Sequence, residues 1–169
     1  MAEAVEPLRM DITKIAPDVY KHLLAIEQEI GSHIEPKLHH LLKLRASQIN
    51  GCAYCLEMHT DEALRDGEKV ERLMLLDAWS ESSAFSDKER AALAWIEEVT
   101  LIAESGASKE AFDGLKAHFS DEEIGWLTLV GTMINAWNRI AISSRGQYDR
   151  KLLEQTTAAA ANDRVAEPA

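Results

Sequence analysis

The sequence has few cysteines, prolines and glycines, the residues that dominate disulfide-rich and fibrous proteins. Its 169 residues include only 2 cysteines, 4 prolines and 8 glycines, and aromatic residues make up 6% of the chain. Two cysteines exclude a disulfide-rich scaffold, and the low proline and glycine content excludes collagen and most low-complexity chains. A chain of 18.8 kDa buries about 70% of its unfolded surface on folding, so a single domain has a sufficient core without disulfides.

Positive charge is also scarce. The chain has 18 lysines and arginines against 29 aspartates and glutamates, which gives a net charge of −11. An acidic protein is repelled by phosphate backbones, so we expect no nucleic-acid partner. Residues 1–6 are acidic and no apolar run follows them, so they do not resemble a secretory signal. We expect a cytoplasmic protein whose thiols are kept reduced.

Helix-favouring residues dominate the composition. Alanine, leucine and glutamate number 62, whereas valine, isoleucine and threonine number only 25, so we expect an all-α fold. The most apolar stretch, residues 124–142, contains Asn135, Asn138 and Arg139, which make a membrane span costly. This stretch is predicted to be a buried central helix or a subunit interface, and no membrane association is expected.

Local signals divide the chain into helices. Ser86 and Ser120 each precede a glutamate by three residues, which is the pattern of a capping box. Proline is favourable in the first turn of a helix, so Pro17 and Pro36 predict helix starts. Glycine is favourable just after a helix, so Gly31 and Asn50-Gly51 predict helix ends. The predicted helices cover about 17–31, 36–50, 52–65, 68–79, 86–104, 108–118 and 120–142, after an irregular lead-in over 1–15. We expect one domain over residues 1–155 and a disordered tail over 156–169.

Both cysteines stand at the start of a predicted helix. Cys52, Cys55 and His59 fall within about 60° of one another on the helix surface, at about 100° per residue. The pair follows Gly51, where free N–H groups and the positive end of the helix dipole favour a thiolate. His59 lies one turn from Cys55, near enough to exchange a proton with it. The pattern is typical of an activated thiol with a second thiol ready to form a disulfide.

Simpler interpretations of this motif remain open. The two cysteines could be inert core residues, and His59 could only pack or form a structural hydrogen bond. A zinc site would need a fourth ligand, from His33, His39, His40 or a catalytic water, because only three ligands lie on the helix. Because that ligand set is incomplete, we expect no metal, and we expect no other resident cofactor.

The run from Leu44 to His59, LRASQINGCAYCLEMH, resembles the core motif of the AhpD-like alkylhydroperoxidases in the carboxymuconolactone decarboxylase superfamily. The continuation to Glu68 and the segments 86–95 and 134–139 resemble the same family, so the similarity covers most of residues 17–145. The resemblance implies an all-helical fold with the CxxC motif at the start of a helix. It also implies assembly into a homo-oligomer, a trimer or a hexamer, and peroxidase activity in antioxidant defence.

The resemblance further implies a role for each site residue. In this family the second cysteine of the motif attacks the peroxide, which is Cys55 here, and the first, Cys52, resolves the sulfenic acid. The dipole argument alone favours Cys52 as the more reactive thiol. The best-studied members have a glutamate twelve residues before the first cysteine, where this chain has His40, and a second histidine where it has Tyr54. The expected catalytic residues are therefore Cys55, Cys52, His59 and, as a proton relay, His40.

The resulting hypothesis is a thiol-dependent hydroperoxide reductase that uses a CxxC disulfide cycle. Its expected partners are a hydroperoxide and an electron donor, which would be a dithiol, a lipoylated protein or a thioredoxin-like protein. One rival is a carboxymuconolactone-decarboxylase-type enzyme that binds a carboxylated substrate through Arg45 and Arg139. Another rival is a non-catalytic oligomer that senses redox state through its cysteine pair.

The acidic partner of His59 is left open by the sequence. Glu57 is close in the chain but points about 200° away from His59 on a regular helix. Glu35 precedes an earlier helix and could approach His59 only through tertiary packing.

Overall fold

The computed structural model describes residues 7–148, and all regular structure in this range is helical. The helices are α1 (Ile12–Ile15), α2 (Pro17–Ser32), α3 (Pro36–Asn50), α4 (Ala53–Arg65), α5 (Val70–Leu75), α6 (Asp87–Thr100), α7 (Ile102–Ser105), α8 (Lys109–Lys116) and α9 (Asp121–Ser144), with a 3-10 helix over Leu76–Glu81. Residues 7–148 contain no strand, which confirms the predicted all-α fold. The predicted domain boundary at residue 155 and the predicted tail over 156–169 lie outside the described residues.

Both predicted capping boxes are present. The Ser86 side chain accepts a hydrogen bond from the backbone N–H of Glu89, whose carboxylate accepts one from the Ser86 backbone. Ser120 and Glu123 pair in the same way at the start of α9. Each box satisfies N–H groups that have no partner inside the helix, which fixes where α6 and α9 begin.

The structure differs from the sequence-based expectation in three places. Residues 12–15 form a single helical turn instead of an irregular lead-in, because the Asp11 side chain caps it. The helix predicted over 68–79 is divided into α5 and the 3-10 helix. The helix predicted to reach Glu104 breaks at Leu101, whose backbone leaves helical geometry and separates α6 from α7.

Helix α3 lies at the centre of the fold and packs against α4, α6 and α9. The fully buried side chains of this core include Leu41, Leu42, Leu93, Ile96, Leu127 and Ile134. Helix α9 approaches α6 closely at Gly131, where an added Cβ would lie 2.8 Å from Cγ1 of Val99. In the part of the chain that the structure describes, no helix has the length and hydropathy needed to cross a membrane. The long apolar segment is instead the core helix α9, as predicted.

Candidate functional site: the cysteine pair of helix α4

The turn between α3 and α4 places the cysteine pair. Gly51 ends α3 with a φ of 67°, a left-handed conformation that glycine adopts without strain. Cys52 is therefore the N-cap residue of α4, and its backbone N–H donates to Ser47 O at 3.0 Å. Both cysteines are free thiols, and each is only 1% exposed. The sequence-based prediction of a thiol pair at a helix N terminus is confirmed.

The two thiols interact with each other and differ in acidity. A hydrogen bond from the Cys55 thiol lowers the pKa of Cys52 to about 7, against the opposing effect of burial. The backbone N–H of Cys55 and the side-chain amide of Asn138 contribute to the same lowering. The bond to Cys52, together with burial, raises the pKa of Cys55. The pair therefore favours a thiolate at Cys52 and a retained proton at Cys55.

Asn138 reaches the thiols from α9 as part of a buried amide network. Its Nδ2 donates to Ser47 Oγ at 3.0 Å, and its Oδ1 accepts from Asn50 Nδ2 at 2.8 Å. Asn50 also donates to Asn135, which in turn donates to Thr100 Oγ1 at 3.1 Å. The network joins α3, α6 and α9, so the amide beside the thiols has a fixed orientation.

His59 is held by a carboxylate on its own helix. Its Nδ1 lies 2.7 Å from Oε2 of Glu62, one turn further along α4. Because an ionised carboxylate only accepts hydrogen bonds, Nδ1 carries the proton and Nε2 of the neutral ring is the acceptor. Burial lowers the pKa of His59, although the bond to Glu62 opposes this. His59 is thus a buried neutral imidazole that can accept a proton.

A buried lysine stands beside this pair. Lys43 of α3 is 7% exposed, and its Nζ lies 3.7 Å from Glu62 Oε2 and 3.5 Å from Glu27 Oε1. Burial would raise the pKa of Glu62, but the bond from His59 and the charge of Lys43 outweigh it and lower that pKa to about 2. The charge of Lys43 also acts to lower the pKa of Cys55, without reversing its rise.

The structure separates the two adjacent histidines of α3. His40 Nε2 lies 2.7 Å from Asp66 Oδ2, and its Nδ1 lies 4.0 Å from Glu62 Oε2. This Nδ1 is buried and has no hydrogen-bond partner within the described residues. His39 lies with its ring centroid 6.5 Å from that of His40 and with Nε2 3.8 Å from Glu27 Oε1, and burial followed by the charge of Lys43 lowers its pKa to about 3. His40 is therefore the histidine that stands at the His59–Glu62 pair.

A cavity of about 360 Å³ opens at the N terminus of α4, near the lower end of the size range of small-molecule sites. Its lining includes Cys52 and leaves out Cys55. Tyr54 and Tyr148 form part of the wall, with ring centroids 5.7 Å apart in an edge-to-face arrangement. Burial raises the pKa of Tyr54, so its hydroxyl stays protonated at neutral pH. The residue at the position of the family's second histidine thus lines the cavity.

The glutamates considered from sequence do not hold His59. Glu57 lines the cavity beside Cys52, and Glu35 accepts from the Leu38 backbone N–H as the N-cap of α3. The partner is Glu62, which sequence analysis missed although its i+3 spacing from His59 on the same helix was visible. Lys43 was also missed, because its side chain comes from another helix.

The other candidate residues are engaged elsewhere. Arg45 pairs with Asp77 and Glu97, and Arg139 donates to Asn135 O at 2.9 Å. His33 stacks on the Trp126 ring at a centroid distance of 3.8 Å. Between residues 7 and 148, no group of three or more His, Cys, Asp or Glu side chains is arranged to hold a metal ion.

A family model and a bacterial relative both match this chain. The model of the carboxymuconolactone decarboxylase family matches residues 17–98, which contain the cysteine pair and His59. The uncharacterized protein YdfG of Bacillus subtilis (strain 168) is 37% identical over 136 residues, which is 80% of this chain and 92% of YdfG.

Two solved structures extend the comparison. ATU0492 of Agrobacterium tumefaciens, a protein of unknown function proposed to be the antioxidant defence protein AhpD, is 44% identical with a TM-score of 0.82. The alignment covers 85% of this chain and 99% of that one. The debrominase Bmp8 has a TM-score of 0.70 at 23% identity, over 82% of this chain and 75% of its own. The second likeness concerns the fold alone.

Proposed function

This chain belongs to the AhpD-like group of the carboxymuconolactone decarboxylase superfamily, and from that premise we propose that it is a thiol-dependent hydroperoxide reductase. One observation carries the proposal: two free, buried thiols interact with each other at a helix N terminus, and a neutral histidine held by a carboxylate follows one turn later. This arrangement supplies a nucleophile, a resolving thiol and a base.

The proposed cycle has three balanced steps. A thiolate attacks the outer oxygen of a hydroperoxide, an S–O bond forms, the O–O bond breaks, and the alkoxide leaves and takes up a proton. The second thiol then attacks the sulfur of the sulfenic acid, an S–S bond forms, and the hydroxyl leaves with the thiol proton as water. An external dithiol reduces the disulfide and becomes a disulfide itself. The family resemblance assigns the attack to Cys55 and the resolving step to Cys52.

His59 and its neighbours manage the protons in this cycle. With Nδ1 bonded to Glu62, the ring keeps Nε2 as the proton acceptor beside the cysteine helix. Glu62 stays ionised because His59 and Lys43 stabilise its charge, so the imidazolium that forms is itself stabilised. His40, 4.0 Å from Glu62, extends the pair toward Asp66 and fits the predicted relay position.

The proposal includes partners and a compartment. The reductant is a dithiol, a lipoylated protein or a thioredoxin-like protein, because the cycle needs two electrons per turnover. The working compartment is the cytoplasm, where thiols are kept reduced. Assembly into a homo-oligomer is supported by the exposed apolar side chains of α2, which include Val19, Leu24 and Ile26.

Turnover with a chemical dithiol tests the proposal. Reduced protein should consume an organic hydroperoxide continuously in the presence of dithiothreitol and release the corresponding alcohol in equal amount. Cys52→Ser and Cys55→Ser should each lose sustained turnover, because the disulfide cycle needs both thiols. Full activity in either variant would refute the disulfide cycle.

The same assay separates the two rivals. A redox sensor would oxidise once and show no turnover with the dithiol present. A decarboxylase-type activity would survive in the variant that lacks both thiols. The binding of Arg45 to Asp77 and Glu97 does not favour the decarboxylase, because that reaction needs a cation for its carboxylated substrate.

A further inference from the structure

Lys43 stands between two carboxylates that come from different helices. Its Nζ lies 3.5 Å from Glu27 Oε1 of α2 and 3.7 Å from Glu62 Oε2 of α4. Both distances exceed the range of about 2.7–3.2 Å for a direct N–H···O hydrogen bond. The buried ammonium is therefore shared by the two carboxylates, and the charge of Glu27 offsets part of the cost of burying it.

The bond between Glu62 and His59 depends on where this ammonium stands. The Oε2 atom of Glu62 that faces Lys43 also accepts the hydrogen bond from His59 Nδ1 at 2.7 Å. An ammonium closer to Oε2 would compete with the imidazole for that atom, because both groups are donors. The attraction of Lys43 to Glu27 keeps the ammonium at a distance that leaves Oε2 available to His59.

The two histidines next to Lys43 in α3 do not replace it as the cation that faces Glu27. His39 Nε2 lies 3.8 Å from Glu27 Oε1, but burial and the charge of Lys43 lower the pKa of His39 to about 3. Its ring is therefore neutral at pH 7. His40 is paired with Asp66 instead, at 2.7 Å from Nε2 to Oδ2.

The Glu27 carboxylate is itself oriented by a helix that does not carry the thiols. Its Oε2 accepts a hydrogen bond from Trp137 Nε1 of α9 at 3.2 Å. The Trp137 ring packs edge-to-face on Tyr20 of α2, with ring centroids 5.4 Å apart. These contacts join α2 to α9 and leave the other oxygen, Oε1, to face Lys43. The position of the carboxylate is thus set by the packing of α2 on the core.

We propose that Glu27 is a positioning residue of the thiol site, which holds Lys43 away from Glu62 so that Glu62 stays bonded to His59 Nδ1. The inference rests on the proposed function, in which Nε2 of His59 takes the proton of the attacking thiol. Without the charge of Glu27, the ammonium should move onto Oε2 of Glu62 and weaken the bond to Nδ1. Part of the His59 population should then carry its proton on Nε2, where the ring can no longer accept one.

The tautomer of His59 in the reduced protein tests the inference without peroxide. Long-range proton–nitrogen NMR spectra at pH 7 distinguish a protonated ring nitrogen from an unprotonated one, and His59→Gln identifies the signals of this ring. The wild type should show a proton on Nδ1. Glu27→Gln keeps the size of the side chain but removes its charge, so it should show a mixture of tautomers. A wild-type tautomer in Glu27→Gln would overturn the inference.

Two further variants separate charge from general damage to the fold, which thermal unfolding measures for each protein. Glu29→Gln is the matched control, because Glu29 lies on the same helix with its side chain 69% exposed, and it should keep the wild-type tautomer. Glu27→Asp keeps the charge and should stay close to the wild type. A change as large in either variant as in Glu27→Gln would mean that the charge of Glu27 is not the cause.

The role of Lys43 is tested by a double-mutant cycle. Because Glu27 acts through the ammonium, Glu27→Gln should change the tautomer much less in a Lys43→Met background than in the wild type. The double variant lacks both charges and therefore leaves no buried ammonium without its partner. Equal effects in the two backgrounds would contradict the inference.

The rate of oxidation links the tautomer to the proposed cycle. Glu27→Gln should react with cumene hydroperoxide about tenfold more slowly than the wild type, a smaller loss than the roughly 100-fold effect of removing a general base. An unchanged rate beside a mixed tautomer would contradict a role of Glu27 in the reaction. If the wild type does not react with the hydroperoxide but the tautomer changes as expected, the proposed function fails and the positioning of His59 by Glu27 stands.

Discussion

The two cysteines of α4 are three residues apart, yet their surroundings have little in common. On the outer side, Cys52 borders a cavity and receives only uncharged donors, from Cys55 and Asn138. On the inner side, Cys55 lies one turn before His59, in the field of the buried Lys43 and its ion pair with Glu62. Asn138 donates to both thiols, and the two pKa values move apart because Cys55 donates to Cys52.

The contrast is between a side with neutral hydrogen-bond donors and a side with charged groups. The neutral donors on the outer side, the Cys55 thiol and the Asn138 amide, stabilise a thiolate at Cys52. On the inner side Glu62 fixes the tautomer of His59, and in the proposed cycle its negative charge would stabilise an imidazolium there. The following changes alter the base, the amide donor, the helix packing and the carboxylate in turn.

Removing the base should have the largest effect. In His59→Gln we expect disulfide formation to slow by about 100-fold, the typical contribution of a general base. Because the family resemblance implies that Cys55 is the attacking thiol, the first oxidation should slow as well, and little sulfenic acid should be trapped by dimedone. Stopped-flow oxidation followed by mass analysis measures both steps. The exposed His22 on α2 provides a control, since His22→Gln should leave both rates unchanged.

If the first oxidation kept its rate and sulfenic acid accumulated, His59 would serve the resolving thiol instead of the attacking one.

Removing the Asn138 amide, which donates to both thiols, should have the next largest effect. Asn138→Ala deletes an amide that stabilises the Cys52 thiolate, so the pKa of Cys52 should rise. Its alkylation by iodoacetamide at pH 7 should fall roughly tenfold, the value of a hydrogen bond to a charged group. Asn135→Ala is the matched control, because it disturbs the same amide network away from the thiols. Equal losses in both variants would mean that the network acts only through stability.

Helix α9, which carries Asn138, offers a test of stability alone. Gly131→Ala should destabilise the fold by about 1–2 kcal/mol, because the new Cβ would meet Val99 and Ile96 at less than 3 Å. Gly125→Ala on the same helix meets no atom within 4 Å and should stabilise the fold by about 0.5–1 kcal/mol. Urea unfolding measures both. The ratio of alkylation at Cys52 to that at Cys55 should stay constant in the two variants, and a change in it would tie site chemistry to packing.

Acid stability should show the smallest effect, because the Glu62 side chain is 36% exposed and solvent screens its interactions. Its pKa falls from 4.5 to about 2 in the folded state. The resulting stability is present above pH 4.5 and is lost as the pH falls toward 2. Glu62→Gln should lack this part of the acid-induced loss, so the stabilities of variant and wild type should converge at low pH. Parallel curves would show that Glu62 is not held as an ion.

The sequence was sufficient for what is local. Helix periodicity placed Cys55 and His59 one turn apart on α4, and serine–glutamate spacing located the starts of α6 and α9, whereas Cys52 is the N-cap residue with extended backbone geometry. Glu62 was equally accessible from sequence, as an i+3 neighbour of His59.

The sequence alone could not place Lys43 beside Glu62 or Asn138 beside the thiols. Both come from other helices, and their approach to α4 depends on how α3 and α9 pack. Asn135 and Asn138 in the apolar stretch nevertheless indicated a buried polar network. Buried amides need partners, and theirs lie beside the cysteine pair.

The most direct test of the account is the stoichiometry of a single turnover by the reduced wild-type protein without any external reductant. One equivalent of cumene hydroperoxide should yield one equivalent of cumyl alcohol per chain, with the loss of two hydrogens from the protein mass and a disulfide between Cys52 and Cys55. Alcohol formation without a disulfide, or no reaction with the hydroperoxide, would contradict the proposed cycle.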